Sequence, residues 1–380
     1  MRLNEILYII RIFTIAVMLS LWTGCQSLDP PNADLALSND EFSATIASLS
    51  EPPAFFDSDN IISNEISYLH IIETLENIGV QGGVYIGVGP DQNFTYIARI
   101  KPEYAFILDI RRDNLLEHLL FKAIMELADS RTEYLSILFS KPTSTVIPSS
   151  DLSNIAHLVD YFDRIEGDEA YLIENMDQIK DQIKTYKIDL SQTDWEKIAD
   201  LSRMFYDQHL NLKWEYKSDG SRGISFIPYR TFLLGQDRQG EYGNFLNNED
   251  DYSYIREMQL KNLIIPLTGN FAGDKALKAV GKYIKTRGDY VSAFYLSNVE
   301  YYLVPDGLMA SFAENVRQLP IKDHSVLIRA YVNLRGRGHP LRVDRHLMTN
   351  VMQHIQSFNE KFAEGRYRTY YDVGVLDYIQ

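Results

Sequence analysis

Residues 84–89 read Val-Tyr-Ile-Gly-Val-Gly, an apolar run ending in two glycines one residue apart. Glycines at such a place let the backbone approach a ligand closely. A helix that follows turns free N–H groups toward it. Asp109 lies 22 residues after Gly87 (109 − 87), near the end of a second apolar run, Ala-Phe-Ile-Leu-Asp-Ile at 105–110. A carboxylate there can accept hydrogen bonds from ribose hydroxyls. The chemistry indicated is capture of a nucleoside-containing cofactor. The dinucleotide fingerprint asks for a third glycine three residues after the second, and that position is Gln92, which argues against NAD and FAD. Each of these residues also has a structural use. The glycines could serve tight strand-to-helix packing, and Asp109 could cap the next helix or pair with Arg111 or Arg112. Asn298 and Glu300 follow a later strand, where catalytic residues often stand and turn formers stand equally well.

Other chemistries find less support. The histidines show no ligand spacing, so no metal site is expected. There is no Gly-x-Ser-x-Gly elbow. Lys and Arg number 37 against 52 Asp and Glu, a net charge of −15, which argues against nucleic acid as partner. The 25 Tyr and 18 Phe could pack a core or line a groove. His118, beside Lys122, falls on the polar side of its helix and is expected in solvent.

These residues need elements to hold them. Strands are expected at 84–88, 105–110, 263–269, 290–297 and 325–332, with a last one in 367–376. Helical spacing marks 61–78, 94–101, 112–128, 273–286, 305–317 and 343–362. Between 112 and 260 the pattern is almost wholly helical, with candidates at 131–139, 150–165, 168–185, 192–208 and 249–261. The stretch 222–236 is left open as strand, hairpin or loop. Strands that are apolar throughout and alternate with helices indicate a parallel sheet covered on both faces. The fold class expected is α/β, a doubly wound, mostly parallel sheet. It comprises 41–111 and 261–380, with a large helical insertion, 112–260, after the second strand.

The N-terminus carries a separate signal. Arg2 and Arg11 precede or flank the apolar run Ile12–Trp22, which Thr23, Gly24 and Cys25 follow. The run is shorter than the about 20 residues that span a bilayer. A basic start, a short apolar core and small residues before a cut site make a secretory signal, 1–24. Ending on Gly-Cys, it resembles the lipobox of bacterial lipoproteins, with Trp22 where Leu is usual. The resemblance implies a lipid on Cys25, the single cysteine, and a place in the bacterial cell envelope, membrane-anchored and facing the periplasm or exterior. An ordinary signal peptide or a short membrane-associated helix is the alternative. Residues 25–40 read as a polar, Pro-containing tether.

The Gly-x-Gly turn after the first strand and the acid after the second resemble the S-adenosylmethionine site of Rossmann-like methyltransferases. Residues 288–303 and 319–332 resemble the fourth and fifth strands of that family. Two positions depart from its pattern: Tyr85 stands where an acid is usual and Asp91 where a third glycine is usual. The Pro-Gly turn before the fifth strand is absent. The block 85–127 also resembles an uncharacterised bacterial family with such a core. The resemblance implies S-adenosylmethionine as cofactor, held by Tyr85, Gly87, Gly89, Asp91, Asp109, Asn270, Phe271 and Asn298, with Phe271 against the adenine. The insertion would then cover the cleft and form the acceptor pocket. Three readings follow: a methyltransferase of unknown acceptor, a non-catalytic envelope lipoprotein binding a ligand or protein partner in the same cleft, or a purely structural envelope protein.

Overall fold

The apolar run after Gly82–Gly83 forms β1 (Val84–Gly87) at the centre of the sheet. A computed structural model describes residues 35–143, 153–213, 226–334 and 336–379 of the protein. Cys25, the signal segment and most of the tether lie outside the described residues.

The chain enters through α1 (Asn39–Leu49), which Ser38 and Glu41 start with a capping box. A 3₁₀ turn (Tyr68–Ile71) and α2 (Ile72–Asn77) lead to β1. Then follow α3 (Gln92–Ile100), β2 (Tyr104–Asp109), and the helices α4 (Arg112–Leu127), α5 (Arg131–Phe139), α6 (Ile155–Asp163), α7 (Glu169–Thr185), α8 (Gln192–Gln208), α9 (Tyr229–Leu233) and α10 (Glu249–Leu260). The sheet resumes with β3 (Ile264–Thr268), α11 (Ala276–Thr286), β4 (Val291–Ser297), α12 (Val299–Leu303), α13 (Met309–Arg317) and β5 (Ile321–Val332). It closes with β6 (Met348–His354), α14 (Ile355–Ala363) and α15 (Tyr370–Val375).

The strand order is β3-β2-β1-β4-β5-β6. All neighbours pair parallel except β5 and β6. The order reverses between β1 and β4, and sheets of this kind open a crevice there, beyond the carboxyl ends of the strands. β1 and β2 are buried along their whole length, as helices on both faces require.

The helices between β2 and β3 are continuous with this core. α4 packs on both strands, and Leu119, Phe121, Phe205, Tyr229 and Ile255 belong to the same apolar cluster as Ile86 and Phe106. Because α5, α7, α8 and α10 cover its outer side, α4 is buried all round. His118 is 2% exposed and Lys122 1%, which corrects the expectation that His118 faces solvent. Lys122 is held by Glu126 at 2.7 Å and the Gln259 carbonyl, with the Tyr186 ring 4.9 Å from its ammonium.

Three other expectations are corrected. Residues 61–67 are not helical, because they run along the carboxyl edge of the sheet, where burial of Ile61 and Ile62 explains their apolar character. The helix read at 343–362 splits into β6 and α14. Seven residues of that stretch pair antiparallel with β5, closing an edge that the apolar spacing could not reveal. The strand read in 367–376 is α15, started by a capping box of Thr369 and Asp372.

Candidate functional site

α1 spans one edge of the sheet. At its start the Leu37 N–H donates to the Lys261 carbonyl, ahead of β3, and just past its end the Glu51 N–H donates to Thr268 at the carboxyl end of β3. The chain then crosses the carboxyl edge as a strap, residues 50–67. Ala54 donates to the Ile110 carbonyl, and the Glu51 carboxylate accepts from the N–H groups of Asn270 at 2.6 Å and of Lys275 and Ala276 at 3.2 Å.

Beneath the strap lies a cavity of about 410 Å³. Its walls come from the turn after β1, the ends of β2 and β4, the turn after β3 and the strap itself. Of the eight residues expected to hold a cofactor, Gly89, Asp109, Asn270, Phe271 and Asn298 line it, whereas Tyr85, Gly87 and Asp91 do not. Among the described residues none of 112–260 lines it either. The strap covers the cleft, and the described helices of the insertion pack behind the turn.

The turn after β1 is built by its own side chains. Gly89 has φ +81°, a left-handed conformation that favours glycine, and a Cβ there would meet nothing within 4 Å. Gly87 is needed for packing, since a Cβ on it would lie 1.9 Å from Asn93 Oδ1 and 2.7 Å from the Tyr85 ring. Asn93 staples the turn. Its Nδ2 lies 3.0, 3.1 and 2.7 Å from the carbonyls of Val88, Gly89 and Pro90, and its Oδ1 accepts from Tyr85 Oη at 2.9 Å. His118 Nε2 lies 2.9 Å from the Gly89 carbonyl, and burial pushes that imidazole down to about 4. Gly87→Ala is therefore expected to lower stability by about 1–3 kcal/mol through overpacking. Chemical denaturation measures it, and an unchanged midpoint would show that Asn93 can move aside.

Tyr85 is thus a support beneath the turn. Asp91 points away from the cleft into the helical layer, where Tyr229 Oη donates to its Oδ2 at 2.5 Å. Burial raises its carboxyl to about 7. Both corrections share a cause: side chains alternate in direction along β1, and the helices behind the turn supply Asp91 with a partner.

Asp109 reaches the cavity with its carboxylate already engaged. Arg111 donates to Oδ1 from its backbone N at 2.8 Å and from Nε at 3.1 Å, and to Oδ2 from Nη2 at 2.9 Å. Its remaining fork atom, Nη1, donates to the Asp59 carbonyl in the strap. The two side chains are 4% and 5% exposed. Phe271 lines the cavity, and its ring packs at 87° against Phe294, with centroids 4.7 Å apart. Asn270 Oδ1 accepts from the Ala272 N–H at 2.9 Å. Asn298 follows Ser297, whose φ of +50° is a strained backbone of the kind that gathers at functional sites. Glu300 is absent from the cavity wall: it is buried and paired with Arg329.

Sequence reasoning missed the strap. Its most informative residue is Glu65, which lines the cavity and is 1% exposed. Oε1 accepts from Tyr295 Oη at 2.7 Å and Ser297 Oγ at 2.5 Å, and Oε2 from Gln92 Nε2 at 2.9 Å and Asn350 Nδ2 at 2.7 Å. The amide oxygens of Gln92 and Asn350 accept from Ser63 and Ser67, so both NH₂ groups are aimed at the carboxylate. The one available signal was a lone acid within Ile62-Ser-Asn-Glu-Ile66.

A family model described as "Domain of unknown function (DUF7790)" matches residues 60–148 and 176–376. The match takes in Glu65, the turn after β1, Asp109 and the cavity-lining residues of β4 and of the turn after β3. No curated protein matches the chain.

Proposed function

The chain belongs to the DUF7790 family, and we propose that it is a methyltransferase-like protein that binds S-adenosylmethionine in the cleft beneath the strap and is exported as a lipoprotein anchored through Cys25. One observation carries the cofactor reading: Gly89 and Asp109 share one cavity wall at the point where the strand order reverses. At about 410 Å³ the cavity lies within the range of small-molecule sites. Among the described lining residues Arg111 is the one basic side chain, and it is committed to Asp109 and Asp59, which leaves a pyrophosphate without a cation among them. Methyl transfer needs no metal or covalent nucleophile. The acceptor attacks the methyl carbon, the C–S bond breaks, and the sulfonium becomes a neutral thioether, with positioning as the main catalytic resource.

A second reading, an envelope lipoprotein that binds a ligand or partner in this cleft without catalysis, is favoured by the Arg111 fork. It occupies both oxygens of the carboxylate that ribose hydroxyls would need, so binding must either share or displace it.

Calorimetry of the full chain in mild detergent, with S-adenosylmethionine and its demethylated product, tests the cofactor reading. Sub-millimolar binding is expected, and a folded protein that gives no heat would overturn it. Incorporation of radiolabelled palmitate is expected in wild type and lost in Cys25→Ala. Equal labelling of the two would remove the anchor.

A further inference from the structure

Resting on the cleft reading above, we infer that the cavity selects a ligand bearing a compact positive charge, a sulfonium or quaternary ammonium, and that Glu65 is the residue that sets this preference. Its wall holds the carboxylates of Asp57, Glu65, Asp109 and Asp306 against the guanidinium of Arg111, a balance of −3 (1 − 4). Arg111 offsets Asp109 only, because its fork ends on that carboxylate and on the Asp59 carbonyl.

Glu65 is the deepest of the remaining acids. All four of its partners are neutral, and among the described residues no Lys, Arg or His forms an ion pair with it. Gln92 and Asn350 present NH₂ groups, which only donate, and the hydroxyls of Tyr295 and Ser297 complete four donors, the full acceptor capacity of an ionised carboxylate. The network therefore solvates the anion and fixes it in the wall without neutralising it. A buried charge without a counter-charge is costly, and a cation arriving in the adjoining cavity removes that cost. Asp57 points the same way, since its Oδ1 is buried without a hydrogen-bond donor among the described residues. The mouth is aromatic: Phe56 and Tyr302 meet edge to face at 5.0 Å and Phe55 is 81% exposed beside them. Aromatic faces attract cations and repel anions. Tyr85 stands where the resemblance would put an acid, and Glu65 supplies a carboxylate to the same cleft from a different segment of the chain.

Glu65→Gln tests the charge with little change of shape. The hydroxyls of Tyr295 and Ser297 can rotate to accept from the new amide NH₂ while its oxygen keeps the bonds from Gln92 and Asn350. Two probe pairs isolate charge, each read by calorimetry on the full chain: S-adenosylmethionine against its demethylated thioether, and choline against its neutral isostere 3,3-dimethyl-1-butanol. Wild type is expected to bind the cation of each pair at least about ten-fold tighter, an effect of the size expected for one partly screened charge. Glu65→Gln is expected to bring both ratios close to one.

Equal affinity within both pairs would overturn the inference and leave the adenosyl reading standing. If neither adenosyl compound binds, that reading fails, and the choline pair alone decides the inference: a preference for choline lost in Glu65→Gln supports it, and no preference overturns it. If Glu65→Gln does not fold by circular dichroism, the double variant Asp57→Asn/Asp306→Asn at the mouth is measured instead, and because it keeps Glu65 both ratios are expected to stay within about two-fold of wild type. Ratios that fall to one there would place the preference at the mouth and overturn the assignment to Glu65.

Discussion

Replacing Arg329 with methionine is expected to lower folding stability by about 3–5 kcal/mol. Arg329 lies in β5 and is 2% exposed, and Glu300, at the start of α12, is 4% exposed. Nε donates to Glu300 Oε2 at 2.7 Å, Nη2 donates to Oε1 at 3.1 Å, and Nη1 reaches Gln353 Oε1 in β6 at 2.8 Å. The guanidinium thus joins the last parallel strand, the antiparallel edge strand and the helix that begins beside the cavity. Arg329→Met removes the cation and leaves a carboxylate buried without a partner, which is costlier than losing the pair as a whole. The double variant Arg329→Met/Glu300→Leu is accordingly expected to recover most of the loss, since apolar side chains of similar volume can replace a buried pair. Guanidinium denaturation of the two variants checks this. A single variant within 1 kcal/mol of wild type, or a double variant worse than the single, would show that the pair is not what holds β5 to α12.

Asp91 is expected to withdraw stability as pH rises from about 4 to above 7, against the gain that His70 and His118, both pushed down to about 4 by burial, contribute between that value and the ordinary imidazole range. Burial raises its carboxyl from 3.8 to about 7, an effect that the hydrogen bond from Tyr229 only partly offsets. Between those values the folded protein keeps a proton that the unfolded chain has released, so the unfolded state binds fewer protons and the slope of stability with pH is negative. The contribution is whole below about pH 4 and lost through the folded value near 7, about 4 kcal/mol in all. Glu117, buried nearby and likewise raised, acts in the same direction. Asp91→Asn keeps an acceptor for Tyr229 and removes the titration. It is expected to match wild type near pH 4 and to exceed it clearly at pH 8, as measured by denaturation midpoints across that range. Parallel curves for the two proteins would show that Asp91 does not carry the effect.

The same residue illustrates what could be read in advance. As a departure from a glycine-rich turn, Asp91 drew attention correctly, but its role could not be inferred, because its partner Tyr229 stands 138 residues away in a helix of the insertion. Gly87 and Gly89 looked equivalent in the sequence. The structure separates them: the first is forced by Asn93 and Tyr85, the second by its own backbone conformation at the cavity wall. For Asp109, pairing with Arg111 was one of the uses open in the sequence, and the observed fork takes that one.

The sequence by itself determined the central sheet strands, the helical stretch between β2 and β3, the turn after β1 and the acid ending β2. These rest on local signals: apolar periodicity, glycines and helix caps, all legible within a dozen residues. Only the tertiary structure decided that residues 343–362 divide into a strand and a helix, because an edge strand is defined by the neighbour it pairs with. Likewise it brought Glu65 into the cleft, through four donors drawn from α3, β4 and β6. A carboxylate's environment is assembled from segments distant in the chain, so the charge that shapes this cavity follows from how the strap lies across the sheet and has no local pattern of its own.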